Sequence, residues 1–169
     1  MYESPTEIAA LQGLLDASFA RASEHLTSIM APERRLSAEQ LVADLTGIAV
    51  LNVATVTARG EPRISAVDGH FLHGRWHFTT AASSPKARQL TDRPAVSAAY
   101  TPRDGYGVFC HGRARLLEPG TPEFAVLSDH WARAYGQSFE DMGMESGISY
   151  VQVKPAWMVG FAFTREEGA

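Results

Sequence analysis

The sequence predicts a mainly β fold: six or so short strands in a closed or half-closed antiparallel barrel, with flanking helices outside it. Three observations carry this. From residue 48 onward the apolar residues recur mostly with period two, between short turns rich in Gly, Pro and Asp. One later stretch presents Val108, Cys110, Gly112, Ala114 and Leu116 on a single face, small and apolar as the inside of a compact barrel requires. Helical periodicity is confined to the first 46 residues and to two later segments that each begin with a capping residue and a proline.

In chain order, residues 4–30 read as one amphipathic helix. Ser4-Pro5-Thr6-Glu7 has capping-box spacing, and Leu11, Leu15, Phe19, Ala22, Leu26 and Ile29 recur on one face until Ala31-Pro32. A short second helix starts at Ser37, capped with Gln40, and ends at Gly47. Residues 48–57 form a strand so continuously apolar that both of its faces are expected to be covered. Arg59-Gly60-Glu61-Pro62 turns the chain into a strand over 63–68, and Asp68-Gly69 reads as a strand-end turn. His73-Gly74 is the tip of a tight hairpin, after which Trp76, Phe78 and Thr80 share one face and Arg75, His77 and Thr79 the other. A helix from Ser84, a strand over 95–100, the turn at 101–105 and a strand over 108–117 follow. Thr121-Pro122 opens a helix with Phe124, Leu127, Trp131 and Tyr135 in step and Gly136 at its end. Residues 137–147 read as a loop, and 150–163 as a final strand pair bent at Lys154-Pro155. The 169 residues are thus expected to be one domain, with 1–46 a helical extension and 47–169 the barrel.

Composition narrows the functional classes. A formal net charge of -4 gives no electrostatic basis for binding nucleic acid or an anionic membrane, and no apolar run is long enough to span one. The single cysteine, Cys110, excludes an internal disulfide and a thiolate zinc site; with no signal-like N-terminus, the expected location is the cytoplasm.

The stretch with most chemical content is residues 78–88. Ser84 is placed as N-cap and Pro85 at N1, with Lys86 and Arg88 beside the helix start, so free N–H groups and two cations converge where an anion such as a phosphate could sit. By itself the same pattern also describes a plain helix start with solvated charges.

The ordered set of motifs adds to this. Val53-Ala54-Thr55-Val56, Gly60-Glu61-Pro62-Arg63, Ser65-Ala66-Val67, Trp76-His77-Phe78-Thr79-Thr80, Ser84-Pro85-Lys86-Ala87-Arg88-Gln89-Leu90, Arg93-Pro94-Ala95-Val96-Ser97 and Gly112-Arg113-Ala114 follow one another. In this order they resemble the flavin-binding split β-barrel proteins, the group named after pyridoxamine 5′-phosphate oxidase. The resemblance implies an antiparallel split β-barrel and a homodimer with cofactor clefts between subunits. The cofactor it implies is FMN, with the deazaflavin F420 as the alternative and haem, which some relatives bind, as a further one. It implies hydride transfer to a small organic substrate, or else a barrel that binds flavin or haem without turnover. Carried over by position, Arg63, Ile64, Ser65, Ala66 and Val67 would lie along the ring system and ribityl chain. Thr79, Thr80, Ser84 and Lys86 would hold the phosphate, Arg88 would stand in for a missing arginine, and Trp157 would reach across from the partner subunit. Two departures exclude the family's namesake reaction: Pro85 stands where the vitamin B6 oxidases carry an arginine, and the ending Phe163-Thr164-Arg165-Glu166-Glu167 lacks their basic, histidine-containing motif.

The remaining polar residues stay open between roles. Asp68 and His70 could pair at the cofactor edge; His111 could ligate haem iron or be a surface residue. His70, His73 and His77 crowd one hairpin but are expected on different faces, against a metal site. Cys110 reads as core, and Arg113 and Arg115 as meeting either an acidic cofactor tail or Glu118 and solvent.

Overall fold

The computed structural model describes residues 3–139, 141–143 and 147–163. Six antiparallel strands form a closed barrel in the order β1-β2-β3-β6-β5-β4, with β4 returning to β1. The strands are β1 (Ala49–Val56), β2 (Pro62–Leu72), β3 (Arg75–Ala81), β4 (Ala95–Tyr100), β5 (Tyr106–Leu116) and β6 (Ile148–Ala162). The helices are α1 (Pro5–Ala20), α2 (Glu24–Ile29), α3 (Ala38–Asp44), α4 (Pro85–Asp92) and α5 (Pro122–Tyr135). No helix among the described residues is long and apolar enough to cross a membrane.

Local chemistry sets the helix starts. Ser4 with Glu7, and Ser37 with Gln40, form complete capping boxes, while Ser84 and Thr121 each cap a helix whose first residue is proline. The expected single helix over 4–30 is instead two. Arg21 ends α1, and the Ser23 hydroxyl accepts the Leu26 N–H (3.2 Å) to start α2. Ile29, whose spacing continues the apolar stripe, is exposed.

The barrel interior holds Leu51, Val53, Phe71, Trp76, Phe78, Val96, Ala98, Val108, Cys110, Val151, Val153 and Met158, all buried. Leu11 and Leu15 of α1, Leu41 of α3 and Leu36 just before α3 join the same core. They approach β6 closely at Gly160, where a Cβ would lie 2.9 Å from a Leu41 methyl. A second cluster, Leu72, Leu117, Leu127, Trp131 and Tyr150, fixes α5 to the outside of the sheet.

Three strand expectations are corrected. β1 is covered on one face only: Leu51 and Val53 are buried while Val50 is 65% exposed. β2 runs without a turn at Asp68-Gly69, because Gly69 is a residue of close approach, its absent Cβ falling 2.7 Å from the Leu51 Cβ. The supposed final strand pair is the one strand β6, whose register against β5 shifts at Ala156: His111 pairs with Trp157 and Gly112 with Pro155. The hairpin tip is as expected, with His73 (φ 54°) and Gly74 (φ 69°) as its two-residue loop. Of the loop expected at 137–147, Met144 lies outside the described residues, as do 164–167.

One feature of the register positions the site. β2 and β3 share four pairs, from Gly69↔Phe78 to Leu72↔Arg75. Beyond them Pro62–Asp68 pair only with β1, and Thr79–Ala81 only with β6. The two strands therefore part, and the barrel splits where β3 runs into α4.

Candidate functional site

The corner at the foot of the split is built by α4. Ser84 takes an extended conformation (φ -68°, ψ 152°); its Oγ accepts the Ala87 N–H (3.0 Å) and lies 3.1 Å from Thr80 Oγ1. The helix is held by the apolar grip of Ala87 and Leu90 and by a side-chain bond between Thr55 and Gln89 (2.5 Å). Lys86 is half-buried with no acidic partner among the described residues; its ammonium stands 6.0 Å over the Phe78 ring. Burial holds its pKa below the usual lysine value. An ammonium withdrawn from water beside the donor end of a helix is a site prepared for a negative charge.

The expected residues divide into three groups. Thr80, Ser84 and Lys86 converge on the corner, and Arg88 is near it but donates to the Ser83 carbonyl (2.7 Å), closing the loop before the helix. Thr79 lies on the opposite face of β3 from Thr80. On β2, Arg63, Ser65 and Val67 pair with Thr55, Val53 and Leu51, so they share the inward face, whereas Ile64 and Ala66 face out. Arg63 is exposed and paired with Glu61 (3.0 Å). Trp157 stacks on His111 (4.8 Å, 20°), whose Nδ1 is 2.8 Å from Ser97 Oγ, across β6, β5 and β4. A single chain brings neither of these rings into contact with the α4 corner.

Sequence reasoning missed the polar cluster behind β2. His70 and His77 are direct cross-strand partners on one face, not on different faces. His70, fully buried, puts Nδ1 2.8 Å from His130 Nε2, and its pKa is pushed down to about 4 by burial, with His130 adding to the effect and Asp68 opposing it. Asp68 accepts not from His70 but from the Tyr135 hydroxyl (2.9 Å), which lies 3.5 Å from His70 Nε2. His77, pushed down to about 3 by burial, meets Gln152 (3.1 Å), which in turn accepts from Arg115 (3.2 Å). The available signal was His130, three residues after Leu127 on the face α5 buries.

Among known proteins, the family model described as pyridoxamine 5′-phosphate oxidase matches residues 37–160. The chain belongs to the pyridoxamine 5′-phosphate oxidase family. No curated protein matches its sequence. Solved structures of similar fold include HutZ, the heme storage protein of Vibrio cholerae (16% identity, 69% of this chain and 89% of that one, TM-score 0.60). A FAD-binding protein of Mesorhizobium loti is similar at 16% identity over 75% of this chain and 95% of that one, TM-score 0.56. An F420 reductase is similar at 18% identity over 68% and 91%, TM-score 0.54. At these identities the likeness is one of fold. The pyridoxamine 5′-phosphate oxidase family thus supplies the barrel, and the chemistry must be read from this chain's own side chains.

Proposed function

We propose that this chain is a flavin- or deazaflavin-dependent oxidoreductase, FMN being the first choice and F420 the alternative, that acts on a small organic substrate as a homodimer. The observation that carries the reading is the half-buried Lys86 ammonium, without an acidic partner among the described residues, beside the Ser84-capped start of α4. Thr80, Ser84 and Lys86 would hold the phosphate, and the inward positions Arg63, Ser65 and Val67 would lie along the ring and ribityl chain. The edge of β2 towards β3, unpaired over Pro62–Asp68, leaves backbone donors and acceptors for the ring's polar edge. Bound there, the cofactor supplies hydride transfer, and the protein's task is to orient it and exclude water. Two structural neighbours, a FAD-binding protein and an F420 reductase, are in keeping with this.

The dimer is supported by large apolar side chains exposed on an outer face that also carries Asn52 and Asp68. Val50 is 65% and Ile64 75% exposed on adjacent strands β1 and β2, with Ala66 between them. Titration with FMN and with F420, followed by absorbance, tests the assignment: micromolar binding of either supports it, and binding of neither overturns it.

A second reading, haem held without turnover, is favoured by His111. Its Nδ1 is oriented by Ser97, leaving Nε2 on an exposed ring. A Soret band on haem addition that His111→Ala abolishes would select it.

A further inference from the structure

At the other end of β3 from the α4 corner lies a groove between α1, the β2–β3 hairpin and α5. One lobe (≈ 320 Å³) includes Val126 and Leu127, and the other (≈ 220 Å³) includes Leu11, Leu14 and Pro155; Glu7, His73 and Arg75 line both. Lys154 lines the second lobe with Arg75. The β3–β6 pairs end at His77↔Gln152; the same register continued by two residues sets Arg75 opposite Lys154, which lines the same lobe and itself pairs with Arg113 on β5. Three cations therefore stand abreast on adjacent strands.

The neighbouring rung shows what is missing. There His77, Gln152 and Arg115 are joined by hydrogen bonds, and Glu123 neutralises the arginine (2.5 Å). Arg75, Lys154 and Arg113 have no ion pair among the described residues, though like charges on opposed strands repel. The nearby acids are already engaged: Glu7 by His73 (2.9 Å) and Ser4, Glu123 by Arg115, and Glu3 with the Gly74 N–H (3.4 Å).

From this juxtaposition we infer that the groove binds an organic anion with an apolar body, its carboxylate or phosphate head on Arg75 and Lys154 and its body on Leu11, Leu14 and Pro155. Arg75 is five residues from Thr80 along β3, about 17 Å at strand rise, so this site is separate from the α4 corner and does not depend on the cofactor reading. Guanidinium and ammonium donors supply the head-group affinity, and burial of the body against leucine supplies the rest.

The test is calorimetric titration of the full chain with sodium octanoate and with octyl phosphate, using octan-1-ol as the uncharged control. Saturable binding of either anion at one per chain is expected, about tenfold tighter than the alcohol and weaker at high salt. The preferred head group follows from which anion binds more tightly. The double variant Arg75→Gln/Lys154→Gln, at exposed positions and checked for fold by circular dichroism, should lose about tenfold, and Lys86→Ala should lose nothing. Equal affinity for the alcohol, unaltered binding by the double variant, loss of binding in Lys86→Ala, or no saturation would each overturn the inference.

Discussion

His70 Nδ1 and His130 Nε2 are 2.8 Å apart, a hydrogen bond between two buried imidazoles that ties β2 to α5. Such a bond needs one ring to donate and the other to accept, so it cannot survive protonation of both. Burial lowers both pKa values, His70 to about 4; Arg133 lowers His130 further, whereas Asp68 acts the other way on His70. Tyr135, raised by burial and by Asp68, stays a phenol throughout. The sign follows: each ring takes up a proton more readily when unfolded, near pH 6.5, than when folded. The stabilisation is complete above about pH 6.5 and is lost as pH falls toward 4.

Thermal unfolding should therefore show a loss on the order of 2 kcal/mol between pH 7 and pH 4, to which buried His77 also contributes. Hydrogen exchange in α5 should accelerate over the same range. His130→Gln, which removes one titrating ring and keeps a polar partner for His70, should flatten the pH dependence. Superimposable curves for the two proteins would rule out this latch.

Lys86→Ala should weaken FMN or F420 binding by about tenfold or more, since it removes the charge set against the phosphate. Ser84→Ala should weaken binding and also cost about 1 kcal/mol of stability through the lost cap. Arg88→Ala should do less than Lys86→Ala, because Arg88 already serves the Ser83 carbonyl. Fluorescence titration of the three variants gives the order, and a larger loss for Arg88→Ala would reassign the phosphate charge.

Gly112→Ala should be severely destabilising. A Cβ there would lie 2.2 Å from the Lys154 carbonyl oxygen, and backbone cannot rotate aside as a side chain can. A loss of about 2–4 kcal/mol, or failure to fold, is expected. Gly13→Ala on α1, with no atom within 4 Å of the new Cβ, should instead gain about 0.5–1 kcal/mol. Melting temperatures of the pair provide the check.

Ile64→Glu places a charge on the exposed face of β1 and β2, at its most exposed apolar residue. Light scattering after gel filtration should show a monomer, and cofactor affinity should fall with it, if the partner completes the cleft. A variant that remains dimeric would place the subunit contact elsewhere.

What the sequence made legible was chiefly local. Ser4, Ser37, Ser84 and Thr121 announce four helix starts because a cap and the backbone N–H it accepts from lie within one turn, and the Thr80–Ser84–Lys86 corner could be read for the same reason. Long-range facts were hidden. Ala156 shifts the register of β6, so the inward set changes from Val151 and Val153 to Met158 and Gly160, and one strand reads as two. Gly69 looks like a turn because the Leu51 side chain it accommodates is 18 positions away. His130 could not announce its bond to a histidine on the far side of the sequence.

The fifteen-residue β6 is paired on both sides, with β3 and with β5, and it is the last strand in chain order. On the ribosome the other five strands are complete while the seam between β3 and β5 is still open, with Phe78 and Ala114 lacking their partners Val151 and Val153. The ring closes only when this segment leaves the exit tunnel, so each newly made chain passes through a stage with two bare strand edges. Until residues 148–162 have emerged, the open edges of β3 and β5 are where a nascent chain is most exposed to pairing with another chain.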